Sequence, residues 1–145
     1  IGPEAYNRLY AKIGNVNKLL AWGHARAVED ILERVPDCPR ALSDQFGRKS
    51  TVERALMERG KKIKLDQRTK AESDIAVAAA SVLARDEFVR RLDQLGVRAG
   101  LRLPKGAGTG VVEAASILGE QGGRELLERF AKVHFKTTDK ALGLL

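Results

Sequence analysis

Apolar residues recur along most of this chain at intervals of three and four, the spacing that lines one face of an α-helix. EAYNRLYAKI, just after Pro3, keeps this spacing until Gly14 interrupts it and predicts a short first helix. After NVN, the stretch KLLAWGHARAVEDILERV places Leu19, Leu20, Ala27, Val28, Ile31, Leu32 and Val35 on one broad face before PDCP closes it. That pattern predicts a long amphipathic helix. RALSDQF is too short between its breakers for a packed helix and alternates loosely, so it predicts a strand ending near Gly47. STVERALMERG predicts a short capped helix, with Ser50 or Thr51 as N-cap, Glu53 in the first turn and Gly60 at the end. In KKIKLDQR, Ile63 and Leu65 alternate with charged neighbours, the pattern of a half-buried edge strand.

From Ser73 the character changes. SDIAVAAASVLARDEFVRRLDQL begins with a cap and an acidic first turn and then becomes small and apolar, which predicts a helix buried through its first half and reaching solvent near Arg85. VRAGLRLPKGAGTG concentrates glycine and proline and predicts a loop; VVEAASILGEQGG and RELLERFAKV predict two more helices separated by Gly122 and Gly123. The tail HFKTTDKALGLL is poorly periodic and predicts no element. Two strands among several helices make an α/β class, but two strands are too few for an independently stable sheet, so further strands are expected outside this sequence.

Composition narrows the picture. At 145 residues and 43% hydrophobic, the chain suits a single domain with a modest core. It has no apolar run long enough to span a membrane, and IGPEAYNRLY lacks the pattern of a signal peptide, so a soluble, untargeted protein is expected. A first residue of Ile suggests a processed chain or a piece of something longer. The single cysteine, Cys38, excludes an internal disulfide, fits a reducing compartment such as the cytoplasm, and has no His or second Cys near it at ligand spacing. Lys and Arg number 26 against 19 acidic residues, a net charge of +7 that favours a polyanionic partner. Nine of the basic residues and only three acidic ones fall between Arg48 and Lys70, a local excess of 9 − 3 = +6. Such a cluster can replace counterions along a phosphate backbone without reading sequence.

Asp44 and Asp74 are the candidate reactive residues. Asp44 lies in the otherwise apolar RALSDQF, where an inward carboxylate is costly unless paired or metal-bound. Asp74 falls in the first turn of the apolar helix, where amides and dipole keep a carboxylate ionised as a hard oxygen ligand. A strand-end and a helix-start aspartate that converge could hold Mg²⁺ or Mn²⁺ for phosphodiester hydrolysis. On residue type alone Asp74 also suits a plain capping role, and two carboxylates make a thin cage.

YNRLY, NVNKLLAWGHARAVE, LSDQF, TKAESDIAVAAASVLARDEF, LRLPKGAG and KVHFKTT occur in this order and spacing. Together they resemble the catalytic domain of bacterial type III ribonuclease H, over about Tyr6 to Thr138. AAASVLAR is similar to a segment of the wider type II group, while LAWGHA, SDQF, LPKGAG and HFKTT point to type III. The resemblance implies a ribonuclease H-like fold, here incomplete, with the first strands of the mixed sheet missing and a helical C-terminal region, all within one partial domain over residues 1–145. It implies Mg²⁺ or Mn²⁺ as cofactor and endonucleolytic cleavage of the RNA strand of an RNA–DNA hybrid, leaving a 3′-hydroxyl and a 5′-phosphate.

Of the four acidic ligands that the family uses, the third falls on Asp44 and the fourth on Asp74, 74 − 44 = 30 residues apart. The adjacent Asp–Glu pair of the family's first strand, with its glycine-rich backbone, has no counterpart before Tyr6, and neither has the small N-terminal substrate-binding domain. The chain is therefore expected to be a truncated, inactive monomer. The alternatives are a non-catalytic nucleic-acid-binding module that keeps the fold, or one half of a split enzyme.

Other residues divide between substrate contact and ordinary packing. Arg68 and Lys70 precede Asp74 and suit phosphate contact, or equally a solvated strand edge kept apart by charge. Lys105 and Gly106, with Gly108, could offer one charge and backbone amides to a phosphate, or form an ordinary loop; the Gly-Lys-Ser/Thr ending of a P-loop is absent. Lys136, Thr137 and Thr138 touch the hybrid by family analogy. His24, His134 and Trp22 sit beside apolar helix positions and are expected to pack.

Overall fold

The computed structural model describes residues 1–145. Helices dominate: α1 (Pro3–Ile13), α2 (Val16–Arg34), α3 (Lys49–Ala55), α4 (Ile75–Ala99), α5 (Thr109–Phe130) and α6 (Lys136–Ala141), with strands β1 (Arg40–Asp44) and β2 (Lys64–Arg68). No helix is long and apolar enough to cross a membrane. The chain divides into two compact units, Ile13–Ala84 and the pairing of Ile1–Lys12 with Arg85–Leu145.

In the unit Ile13–Ala84, Asn15 caps α2, its side chain accepting from the Lys18 amide at 3.0 Å. Ala21, Ala25 and Leu32 turn one face of α2 inward, and Leu19 of α2 and Val52 of α3 are buried as well. Glu29 is buried on the same helix because it meets donors: the amides of Arg59 (2.9 Å) and Gly60 (3.0 Å) and the Arg59 guanidinium (3.4 Å). Those hydrogen bonds, led by the Arg59 amide, hold the Glu29 carboxyl below its ordinary value. A Cβ on Gly60 would stand 3.2 Å from Leu56 Cδ2, so the absence of a side chain there lets the amide reach Glu29.

β1 and β2 form a parallel pair in the register Arg40↔Lys64 to Asp44↔Arg68. Gln67, buried on β2, donates from Nε2 to the Lys49 carbonyl (3.0 Å) and so fastens the strand to the start of α3. α3 starts one or two residues before the expected cap: Arg48 holds the N-cap position without a side-chain hydrogen bond, and Ser50 and Thr51 lie inside the helix. The chain turns from β2 into α4 through Lys70, a non-glycine residue in the left-handed region (φ 53°), and a short 3-10 turn, Ala71–Ser73.

The first half of α4 is not buried, contrary to its composition. Ile75 is 88% exposed, Val82 68% and Leu83 71%. Apolar character fixes what a helix face would tolerate against it; burial requires an element to cover it, and within residues 13–84 none does.

The other unit is built on an apolar cluster of Leu118, Leu127, Phe130 and Val133, with Leu95, Leu101, Leu103 and Leu142 against it. Gly122 and Gly123 break α5 into two helical segments, as the sequence predicts, and Gly123 takes the left-handed region at φ 61°. Asn7 of α1 closes the end of α5, donating to the carbonyls of Glu128 (3.0 Å) and Ala131 (2.9 Å) and accepting from the Val133 amide (3.2 Å). His134 packs between Tyr10 and Phe135, ring centroids 3.8 and 3.9 Å away, and burial together with Lys132 lowers its pKa. The tail does fold: α6 buries Thr138 and packs on α5.

Candidate active site

Parallel pairing brings the ends of β1 and β2 side by side, so Asp44 and Arg68 are register partners, and the Gln45 amide continues the ladder to the Arg68 carbonyl at 3.0 Å. Asp44 is exposed at the strand end and not directed inward, which removes the burial cost expected for it. Its Oδ1 accepts from the Ala71 amide at 3.1 Å. That amide is offered by the left-handed Lys70, whose conformation turns the chain back towards β1. Asp74 ends the 3-10 turn and caps α4: Oδ1 accepts from the Ala76 amide at 3.0 Å, and Oδ2 lies 3.2 Å from Arg68 Nη2.

Beneath the strand end, Ser43 Oγ donates to the Asp44 carbonyl (3.0 Å) and meets His24 Nδ1 at 3.2 Å. The His24 tautomer sets which of the two donates in that contact. His24 also rests on Phe46, with ring centroids 4.9 Å apart. Burial pushes its pKa down, against the pull of the Asp44 charge. His24 packs, as the sequence suggests, but it packs against the back of this site. No spacing in the sequence signals that neighbour.

The unit Ile13–Ala84 thus gathers Asp44, Arg68, Ala71 and Asp74, with Lys70 exposed on the turn between them. Lys105, Gly106 and Lys136 are exposed in the other unit, Lys105 and Gly106 on the loop before α5 and Lys136 at the start of α6. Mg²⁺ and Mn²⁺ prefer hard oxygens, and Mg²⁺ is commonly held by one or two carboxylates with water and substrate phosphate completing an octahedron. Asp44 and Asp74 supply that donor type, although no three His, Cys, Asp or Glu side chains converge anywhere in the chain.

Residues 5–138 match the family model described as Ribonuclease HII. The chain belongs to that family. It is 43% identical over 139 residues to a ribonuclease HIII of Chlamydia pneumoniae, covering 95% of this chain and 47% of the relative. It is 40% identical over 143 residues to that of Protochlamydia amoebophila, covering 99% and 47%. Among solved structures it is similar to Bst-RNase HIII in complex with Mn²⁺, with a TM-score of 0.87 at 32% identity, covering 99% of this chain and 48% of that one. The ribonuclease H-like α/β fold is therefore established, and the chain spans about half the length of the curated relatives it matches.

Proposed function

We propose that this chain is part of a single metal-dependent ribonuclease H catalytic domain that cleaves the RNA strand of RNA–DNA hybrids, with Asp44 and Asp74 as two of its metal ligands. The observation that carries the reading is that Arg68 links two aspartates 74 − 44 = 30 residues apart, as the strand-register partner of Asp44 and the ion-pair partner of Asp74, in a member of the ribonuclease HII family. Mn²⁺ in Bst-RNase HIII supports Mg²⁺ or Mn²⁺ here.

Each residue has a part in this reading. The Ala71 and Ala76 amides, by binding Oδ1 of Asp44 and of Asp74, fix the orientation of both carboxylates. The divalent ion, when bound, activates water and steadies the leaving oxygen of the phosphodiester. Arg68 and Lys70, with Lys105, Gly106 and Lys136, bind backbone phosphate; the +6 excess between Arg48 and Lys70 gives that binding a steep salt dependence.

Two carboxylates do not complete the site, so residues 1–145 alone are inactive, and further acidic ligands come from additional sequence of the same protein or from a separate chain. The exposed apolar half of α4, uncovered within its unit, and a sheet of only two strands support this. The absence of three converging ligands also favours a second reading, a binding module that keeps the fold and the basic surface without catalysis.

Joining this chain to the unmatched half of the Chlamydia pneumoniae relative tests the two readings. The enzyme reading predicts Mg²⁺- or Mn²⁺-dependent cleavage of hybrid RNA by the chimera and a loss of about a hundredfold or more in Asp44→Asn, since even outer-shell changes at metal sites cost roughly 10–100-fold. A chimera that binds hybrid with no metal dependence and never cuts it supports the module. Equal cutting by the parent and Asp44→Asn chimeras removes Asp44 from the site.

A further inference from the structure

Arg68 is tied to both proposed ligands. Its backbone is the register partner of Asp44 and accepts from the Gln45 amide, and its guanidinium is 3.2 Å from Asp74 Oδ2. The second oxygen of Asp74 is already committed to the Ala76 amide. A divalent ion taking Oδ2 therefore enters the place that the guanidinium holds, and two positive charges at that spacing repel.

The nearest acidic alternative along the strand does not recapture Arg68. Asp66 lies two residues back on the same face of β2 and is paired with Lys64 at 3.1 Å. Arg68 has Asp74 as its one ion-pair partner, and its side chain is 55% exposed, so once displaced it is a free guanidinium at the edge of the site. A planar fork of N–H donors is suited to bidentate phosphate contact.

We propose that Arg68 is an internal counter-ion of the carboxylate pair, displaced from Asp74 by the divalent ion and passed to a backbone phosphate of the nucleic acid, so that metal and duplex strengthen each other's binding. The inference rests on the reading of Asp44 and Asp74 as metal ligands and adds the coupling. By linkage, the factor by which Mn²⁺ tightens duplex binding equals the factor by which duplex tightens Mn²⁺ binding. The pair is exposed, so each effect is modest, on the order of threefold to fivefold.

The test uses the 145-residue chain with two probes, Mn²⁺ alone and a short fluorescein-labelled RNA–DNA hybrid. Mn²⁺ affinity is read from paramagnetic broadening of the Ala71 and Ala76 amide signals, and hybrid affinity from fluorescence anisotropy with and without Mn²⁺. Arg68→Ala is expected to bind Mn²⁺ roughly threefold to fivefold more tightly, to bind hybrid more weakly, and to lose the tightening of hybrid that Mn²⁺ produces in the parent chain. Arg68→Lys, which keeps the charge without the fork, should fall between. Lys61→Ala removes one exposed charge of the same basic stretch and should leave the Mn²⁺ coupling intact.

Unchanged or weaker Mn²⁺ binding in Arg68→Ala, or equal Mn²⁺ coupling in that variant and the parent, overturns the proposal. Asp74→Asn separates the two levels. If it abolishes the broadening while Arg68→Ala changes nothing, only the coupling fails. If broadening survives Asp74→Asn, the ligand assignment and the coupling fail together.

Discussion

The two compact units are held together differently. The one built on α5 and α6 is centred on an apolar cluster, Leu118, Leu127, Phe130 and Val133, with Leu118 and Leu127 almost wholly buried. The unit Ile13–Ala84 also buries apolar side chains, Leu19, Leu32, Val52 and Leu56 among them, and adds buried polar groups that join its elements: Glu29 on the Arg59 and Gly60 amides, and Gln67 on the Lys49 carbonyl. That second unit also carries the candidate site and leaves the apolar start of α4 uncovered. The contrast shows that the corner holding the two aspartates is fixed by buried hydrogen bonds added to apolar packing, whereas the other unit is centred on apolar packing alone.

The sharpest way to break this contrast is in the apolar cluster. Leu127→Ala removes a side chain that is 1% exposed and should cost about 3 kcal/mol in urea unfolding. A cost near that of a surface substitution would mean that the cluster does not anchor its unit.

In the polar framework, Glu29→Gln should lower the melting temperature by several degrees at neutral pH. The folded-state pKa of Glu29 is depressed, so its contribution is fully present above the ordinary value of 4.5 and is lost as pH falls through the lower folded value. Parent and variant should therefore converge in acid; a gap that stays constant with pH would show that charge is irrelevant there.

The smallest effect belongs to α4. Leu83, 71% exposed, should tolerate Leu83→Ser in this chain with a change of less than about 0.5 kcal/mol. A large loss would reveal that the face is covered within these 145 residues after all.

The same contrast explains what was legible in the sequence. Strong periodicity located α1, α2 and the two segments of α5, and the alternation at Ile63 and Leu65 located β2. Apolar content misjudged α4, because composition records a preference for burial and not the presence of a cover. KTTDKA carries no periodic signal, and α6 forms because Thr138 finds a buried place against the rest of its unit.

At the site, Asp44 and Asp74 were visible as residue types at element ends and through the family motifs. The bond from Ala71 to Asp44 depends on a left-handed Lys70, a conformation that no side-chain pattern announces, and the Asp44–Arg68 neighbourhood depends on a parallel register set by tertiary pairing.

The central claim is that Asp44 and Asp74 share one divalent ion. Titrating the ¹⁵N-labelled chain with Mn²⁺ tests it directly, because broadening falls off steeply with distance from the ion. The Ala71 and Ala76 amides, each bound to one of the two carboxylates, should broaden first and together, and Asp44→Asn or Asp74→Asn alone should remove both effects. Broadening centred elsewhere, or surviving either substitution, would contradict a shared ion.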